Sequence, residues 1–383
     1  LGKEEPALTK WKNPPKLTDL KQDFEGALSD HDTYEQKINK WLENFNVEGA
    51  AKVKTGSNRS QHVPKLIRKH GEWRYPALSE PFLSTKDMFK LSPVTWEDRA
   101  SSRQNELLLN NQFNTKINKV AFIDEYVRTA VEEGTVILKT GWVFEEEDYD
   151  EEVPIVNYQP NPEFLATLEQ LMQMQQESPS QFMTDVPEHL KQAIEISQQY
   201  GQPMEPVQVG TETVTKTRTV ANHPTVSICD YHNVILDPLA QGDINKAGFV
   251  IESFESSLAD LKKDGRYTNL DNIQLENNSV LSLPDHVTSY GTQTFNFKDK
   301  PRKKFVVYEY WGYWDIDGSG LTKPIVAAWV GNTLIRLEEN PFPDKALPYV
   351  VVQYLPKRKC NYGEPDGALL EDNQKILGAV TRG

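Results

Sequence analysis

Cysteine is scarce, with only Cys229 and Cys360 in 383 residues. Two thiols so far apart in so long a chain exclude a disulfide framework and fit a reducing compartment. Long apolar runs are missing as well. No stretch approaches the ~20 residues that a membrane-spanning helix needs, and the opening LGKEEPALTKWKNPP has no signal-peptide core. We therefore expect synthesis in a cytoplasm and no membrane partner. Basic charge is the minority, with 42 Lys and Arg against 56 Asp and Glu, a formal charge of −14. Dedicated sequence-reading nucleic-acid binders draw their affinity from neutralising phosphates, so this balance argues against one. The wall of a channel along which a duplex slides is a different case, because like charge keeps the duplex from sticking.

The motifs of bond chemistry are equally sparse. The seven histidines, at 31, 62, 70, 189, 223, 232 and 286, include no pair at helical i, i+4 spacing, so no zinc site is expected. There is no GxxxxGK[ST] loop to cradle a nucleotide and no GxSxG elbow to carry a nucleophile. Cys229 lies in an apolar run and reads as a small core residue rather than a reactive thiol. Asp315 and Asp317 resemble the start of a calcium loop, but the later oxygen ligands are missing and a hairpin turn explains them better. The expectation is a protein that is not an enzyme and has no cofactor.

What is present is a β-rich C-terminal third. Phe305–Ile316 (FVVYEYWGYWDI) is aromatic and β-branched, and Asp315–Gly320 is a turn cluster. Pro324–Val330 and Thr333–Leu337 should fold back on each other around Gly331-Asn332. Tyr349–Leu355 is a near-continuous apolar run of the kind expected for a strand covered on both faces. Leu369, Leu370, Ile376, Leu377 and Val380 then recur at helical spacing, giving a helix whose apolar face needs a partner. Tyr308, Tyr310, Trp311, Tyr313 and Trp314 are the aromatic positions to weigh as a sugar- or base-stacking platform. They fall on both faces of one strand, which favours a sandwiched core strand.

Residues 1–28 are Lys- and Pro-rich without a sustained period and read as an arm. Tyr34, Ile38, Trp41, Leu42 and Phe45 mark a helix ending near Asn46. Further helices are expected over Asp98–Asn111 and Lys119–Glu133, the latter stopped by Gly134 and followed by a strand, Thr135–Phe144. One region is clearly basic: Lys52, Lys54, Arg59, Lys65, Arg68, Lys69 and Arg74. It fits a phosphate-contacting or subunit-interface surface, or an ordinary solvated face making ion pairs. The EEEDYDEE run, 145–152, repels itself and must be exposed. Phe164–Gln176 and Pro187–Tyr200 read as a helical hairpin whose Leu and Met stripe fits core packing or a partner groove. Val207–Val220 alternates as a solvent-facing strand or hairpin. His223–Pro238 (HPTVSICDYHNVILDP) reads as one strand and Phe249–Phe254 as the next. Ser257 and Asp260 open a short helix that Gly265 stops, and 268–300 is expected to be loop.

The C-terminal pattern, together with WRYPALSEPFL, LLLNNQF and VRTAVEEGTVILKTGW, resembles the portal proteins of tailed bacteriophages, especially short-tailed, N4-like podoviruses. The resemblance implies an α+β fold: a portal wing-like domain with mixed β-sheets flanked by helices and a helical insert, entering a stem-type helix at the C-terminus. On that reading 1–28 is an N-terminal arm, 29–144 and 221–362 are two halves of the wing, 145–220 is an acidic, Gln-rich helical insert, and 363–383 leads toward the stem. It also implies a homo-oligomeric ring of twelve copies at a capsid vertex of the virion, made in the host cytoplasm. The implied partners are the major capsid protein, terminase, a head-tail adaptor protein and double-stranded DNA passing non-specifically during packaging and ejection. A start at Leu1 and an end at Gly383, just past the helix, fit a processed or incomplete polypeptide. The alternative is a carbohydrate-binding or glycan-cleaving phage tail component, which requires the aromatic cluster to be exposed.

Overall fold

The computed structural model describes residues 8–53, 60–177, 182–183, 186–274, 285–287 and 296–382. The chain divides into two compact units, one of Leu1–Trp142 with Pro224–Gly383 and one of Val143–His223. In chain order the elements are α1 (Leu17–Asn46), α2 (Leu66–Leu83), α3 (Arg99–Thr115), α4 (Lys119–Glu133), β1 (Thr135–Pro160), α5 (Leu165–Glu177), α6 (Glu188–Tyr200) and β2 (Met204–Cys229). They continue with β3 (Val234–Leu236), β4 (Phe249–Ser257), α7 (Leu258–Asp264), β5 (Lys304–Trp314), β6 (Lys323–Val330), β7 (Thr333–Glu339), β8 (Tyr349–Gln353) and α8 (Asp366–Arg382). Helices and antiparallel strands segregate, so the fold is α+β as expected.

The first unit is organised around a five-stranded sheet of order β3-β4-β5-β6-β7. Period-2 alternation gives β5 and β6 two apolar faces. Val306, Tyr308 and Tyr310, with Ile325, Ala327 and Trp329, face Leu20, Phe24 and Ala27 of α1. Phe305, Val307, Ala328 and Val330 point the other way, onto Leu258 and Leu261 of α7 and onto Tyr267. Tyr308 stacks on Trp329 at 5.6 Å and takes the edge of Phe24 at 5.4 Å. The aromatic cluster is therefore largely core: Tyr308, Tyr310 and Trp311 are buried, and Tyr313 and Trp314 partly so. At the β6–β7 hairpin, Val330 pairs with Thr333, and Gly331 alone takes a positive φ of 57°. The Asp315 carboxylate accepts the Gly318, Ser319 and Gly320 N–H groups, which makes this segment a backbone-capped turn.

A three-stranded sheet of order β2-β1-β8 joins the same unit through its β1 and β8 residues. Ile137 and Tyr349 pack with Ile38, Val250, Trp311 and Val326. Gly134 makes the α4–β1 junction. At φ 81° it ends the helix, and a Cβ there would lie 2.6 Å from the Glu364 and Pro365 backbone.

Several expectations need correction. Residues 17–28 are not an arm, since α1 begins at Leu17 and its Leu20–Phe24–Ala27 stripe is buried on the sheet. Lys- and Pro-rich flanks hide that stripe until the opposing sheet supplies its partner. The run 223–238 is not one strand. β2 ends at Cys229, Asp230 caps a 3-10 turn by accepting from the His232 N–H, and β3 starts afresh in the other sheet. β8 is not covered on both faces, because Val350 is exposed while its neighbour Tyr349 is buried. Helix α2 forms without any local signal for it, since Gly71, Pro76 and Pro81 are breakers. Most of the loop expected over 268–300 lies outside the described residues.

In the second unit, the acidic run 145–152 is part of β1, and its charges meet β2. Arg218 pairs with Glu147 and Lys216 with Glu151, each at 2.8 Å, while Thr215 and Thr217 donate to Asp150 and Asp148. The segment 145–220 is therefore as much β-ribbon as helix. Leu168, Phe182, Val186 and Ile194 form its small core, with Met172 packed against them.

A cluster of charged groups sits inside the first unit. Glu309, on β5, is buried between Arg336 Nη1 at 2.9 Å and Lys139 Nζ at 2.8 Å, and the Trp311 Nε1–H donates to it at 2.9 Å. Burial alone would raise the carboxyl pKa, but Lys139 and Arg336 outweigh it and hold Glu309 at about 2. Its stabilising contribution is thus fully present above the ordinary 4.5 and lost progressively as pH falls from there through about 2. Glu309→Leu removes the carboxylate that Arg336 and Lys139 share and leaves them only Glu338 and Glu252, and we expect a loss of up to about 3–5 kcal/mol in equilibrium urea unfolding. Adding Arg336→Met to Glu309→Leu should recover much of it. A loss below ~1 kcal/mol in the single variant would show that the network contributes little.

Candidate functional site

The basic segment is placed mainly by α2, whose buried Ile67, Gly71, Tyr75 and Ser79 repeat every four residues. This stripe packs on Phe45, Ile123, Val127 and Val131. The remaining face points outward and carries Arg68, Lys69 and Trp73, the last 73% exposed. The Lys69 ammonium lies 5.8 Å from the Trp73 ring centre, and Arg68 is 3.8 Å from Glu72. Arg74 acts differently. It reaches Asp366 at 3.1 Å, where Tyr354 also donates, and so ties α2 to the start of α8.

Lys52 is exposed beyond a short 3-10 turn and Lys65 is exposed at the α2 N-cap. Lys54 and Arg59 lie outside the described residues. The structure thus places Lys69 over the Trp73 ring, sets Arg68 beside Glu72 and gives Arg74 a buried carboxylate partner. Lys52 borders a cleft of about 280 Å³ between α1 and α8, shared with Lys40, Glu43, Glu371, Lys375 and Arg382. In that cleft Lys40 meets Glu371 at 2.9 Å.

Helix α8 has its sides reversed relative to an ordinary surface helix. Its inner side is small and polar, with Gly367, Gln374 and Gly378 buried. Gln374 Oε1 accepts from the Ile67 N–H at 3.0 Å and its Nε2 donates to Asn44 O at 2.8 Å, so one side chain fastens α1, α2 and α8. The apolar face faces solvent, with Leu369 and Ile376 each 63% exposed and Val380 73% exposed. The sequence foresaw an apolar face needing a partner, and only Leu370 finds one within the described residues.

A second feature had no sequence signal, because its parts are up to 161 positions apart. A cavity of about 510 Å³ lies between α4, the end of β2 and the part of β4 beyond its pairing with β3. Glu125, Thr129 and Glu133 line it from one stripe of α4, with Phe254 and Glu255 of β4 and His286 opposite. Two of its carboxylates are matched: Glu252 by Lys139 and the Tyr349 hydroxyl, and Asp230 by His232 at 2.7 Å. No ion pair is formed by Glu125 or Glu133 among the described residues. His286 is buried, with Nδ1 2.8 Å from Ser253 Oγ. Among the described residues its Nε2 finds no hydrogen-bond partner, and Glu255 Oε1 is 3.7 Å away. Burial lowers the His286 pKa against the pull of Glu255, and burial pushes the Cys229 thiol up. Among the described residues no group of three His, Cys, Asp or Glu side chains is placed to hold a metal ion. No helix among them is long and apolar enough to cross a membrane.

A family model described as phage SU10 portal protein matches residues 16–383. The match starts one residue before α1 and takes in every helix and strand named above.

Glu133 supplies a pH test of the cavity. Burial first, then Asp230 and Glu132, push its carboxyl up from the ordinary 4.5 to about 8. Between those values the folded chain keeps a proton that the unfolded chain has released, so stability falls as pH rises across the window. Thermal melts should show a midpoint that drops from about pH 5 to about pH 8 and a shallower drop in Glu133→Gln. Identical slopes for the two proteins would remove Glu133 as the group responsible.

Proposed function

The chain belongs to the phage SU10 portal protein family, and on that premise we propose that it acts as one copy of a closed ring at a capsid vertex, through which double-stranded DNA is packaged and later ejected. The observation that supports this best is the solvent-facing Leu369–Ile376–Val380 stripe on a helix whose other side is already fastened to α1 and α2. Apolar surface of that kind on a well-filled body calls for another protein surface. Twelve copies, contact with the major capsid protein, and docking of terminase and a head-tail adaptor are the finer parts of the proposal.

The work asked of such a subunit is mechanical. Identical wedges close around an axis, and a net charge of −14 keeps the duplex from lodging on the wall. Bond-making chemistry belongs to a motor outside this chain. Residues 17–144 and 221–362 would build the wing, 145–220 a peripheral insert, and 363–383 the path toward a stem.

Mass photometry and negative-stain imaging of the purified protein test this directly. We expect particles at a high multiple of the 43.7 kDa chain mass with a central hole. A stable monomer at every concentration, carrying hydrolytic activity, would overturn the proposal.

A further inference from the structure

A ring built head to tail needs two different, complementary patches on opposite flanks of each subunit. Helix α4 divides the first unit in that sense. Its Ile123, Val127 and Val131 stripe packs with α2, whereas its Glu125, Thr129 and Glu133 stripe, roughly opposite on the helix, lines the acidic cavity. The outward face of α2 and the cavity therefore lie on opposite flanks of the α2–α4 pair.

The two flanks match in chemistry. On one stand Arg68 and Lys69 with the exposed indole of Trp73, and Lys69 has no carboxylate partner among the described residues. On the other is a cavity with Glu125 and Glu255 at its rim, Glu133 and Phe254 within, and a buried His286 whose Nε2 has no hydrogen-bond partner among the described residues. Glu255 Oε1 lies 3.7 Å from the buried His286 Nε2 and is itself open to solvent, so a cationic N–H donor arriving at the rim would meet the Glu255 carboxylate. Trp and Arg are the side chains that most often anchor interfaces, and charge of opposite sign fixes which surfaces meet.

We propose that the Arg68–Lys69–Trp73 ridge of one copy docks into the Glu125–Glu255 cavity of the next, making this the heterologous contact that closes the ring. The proposal rests on the ring reading above and adds the residues that join neighbours.

Two charge-reversed proteins test it: Arg68→Glu with Lys69→Glu, and Glu125→Lys with Glu255→Lys. Arg68, Lys69 and Glu125 are exposed and Glu255 is partly so beside His286, so the unfolding midpoint of each variant is measured first. Assembly is compared for variants whose midpoints match the parent, with Glu125→Lys alone in place of the double variant if Glu255→Lys lowers it. Alone, each variant sets like charge against like, and half-assembly should need at least about tenfold more protein by mass photometry. Mixed in equal amounts, the acidic ridge of the first meets the basic cavity of the second, and the unaltered ridge and cavity also meet. Rings should return, with the two proteins alternating. Trp73→Ala, which removes no charge, should weaken assembly of the otherwise unaltered chain by a similar factor. Normal rings from either reversed protein alone, or no recovery on mixing, would overturn the contact while leaving the ring reading intact. Absence of rings from the unaltered protein would overturn both.

Discussion

A carboxylate held out of water in the middle of β5 sets the terms for the first unit. Glu309 remains ionised there because Lys139 reaches it from β1 and Arg336 from β7, so the charge is shared across both sheets. Ions taken from water cost several kcal/mol each after relaxation, and only close, hydrogen-bonded partners offset that. The register follows from the same constraint. Moving β5 by one residue would turn Glu309 toward Leu20 and Phe24 and send Tyr308 and Tyr310 to the charged side. Tyr349 and Glu252 extend the arrangement, since the Tyr349 hydroxyl donates to the carboxylate that Lys139 also meets.

The helices on this body are fixed by a few well-placed polar side chains. Gln374 joins three helices and Asp366 gathers Arg74 and Tyr354, so α2 and α8 hold set positions against α1. A ring subunit needs this, because the angle between its two contact faces decides whether the circle closes. Surfaces left unfilled by the fold are carried on these braced elements: the Trp73 ridge on α2, the acidic stripe on α4 and the apolar stripe on α8. None depends on a loop for its placement.

Much of this was legible residue by residue. Alternation from Phe305 to Trp314, the Gly331 hairpin, the Lys119–Glu133 helix with its Gly134 stop, and the Ser257 cap with Gly265 all appear where local preference and packing agree. The sequence misled where they disagree. Helix α2 carries Gly71, Pro76 and Pro81 because packing on α4 outweighs the local cost, and the Leu20–Phe24–Ala27 stripe is visible only against the sheet that covers it. In the basic segment, neighbours along the chain serve different ends, with Arg74 a structural tie to α8 while Arg68 and Lys69 stay on the outward face.

By itself the sequence determined the alternating and helical faces, the acidic balance, the absence of familiar catalytic loops, and a likeness to portals carried by segments along most of the chain. These are local or additive properties, readable one stretch at a time. The tertiary structure alone decided that Glu309 is a buried ion centre, that α8 turns its apolar side to solvent, and that Glu125, Glu255 and His286 meet around one cavity. Each of those depends on side chains more than a hundred positions apart or on which of two helix faces finds a partner. Only the packed fold fixes such distances, because burial and charge act through space rather than along the chain.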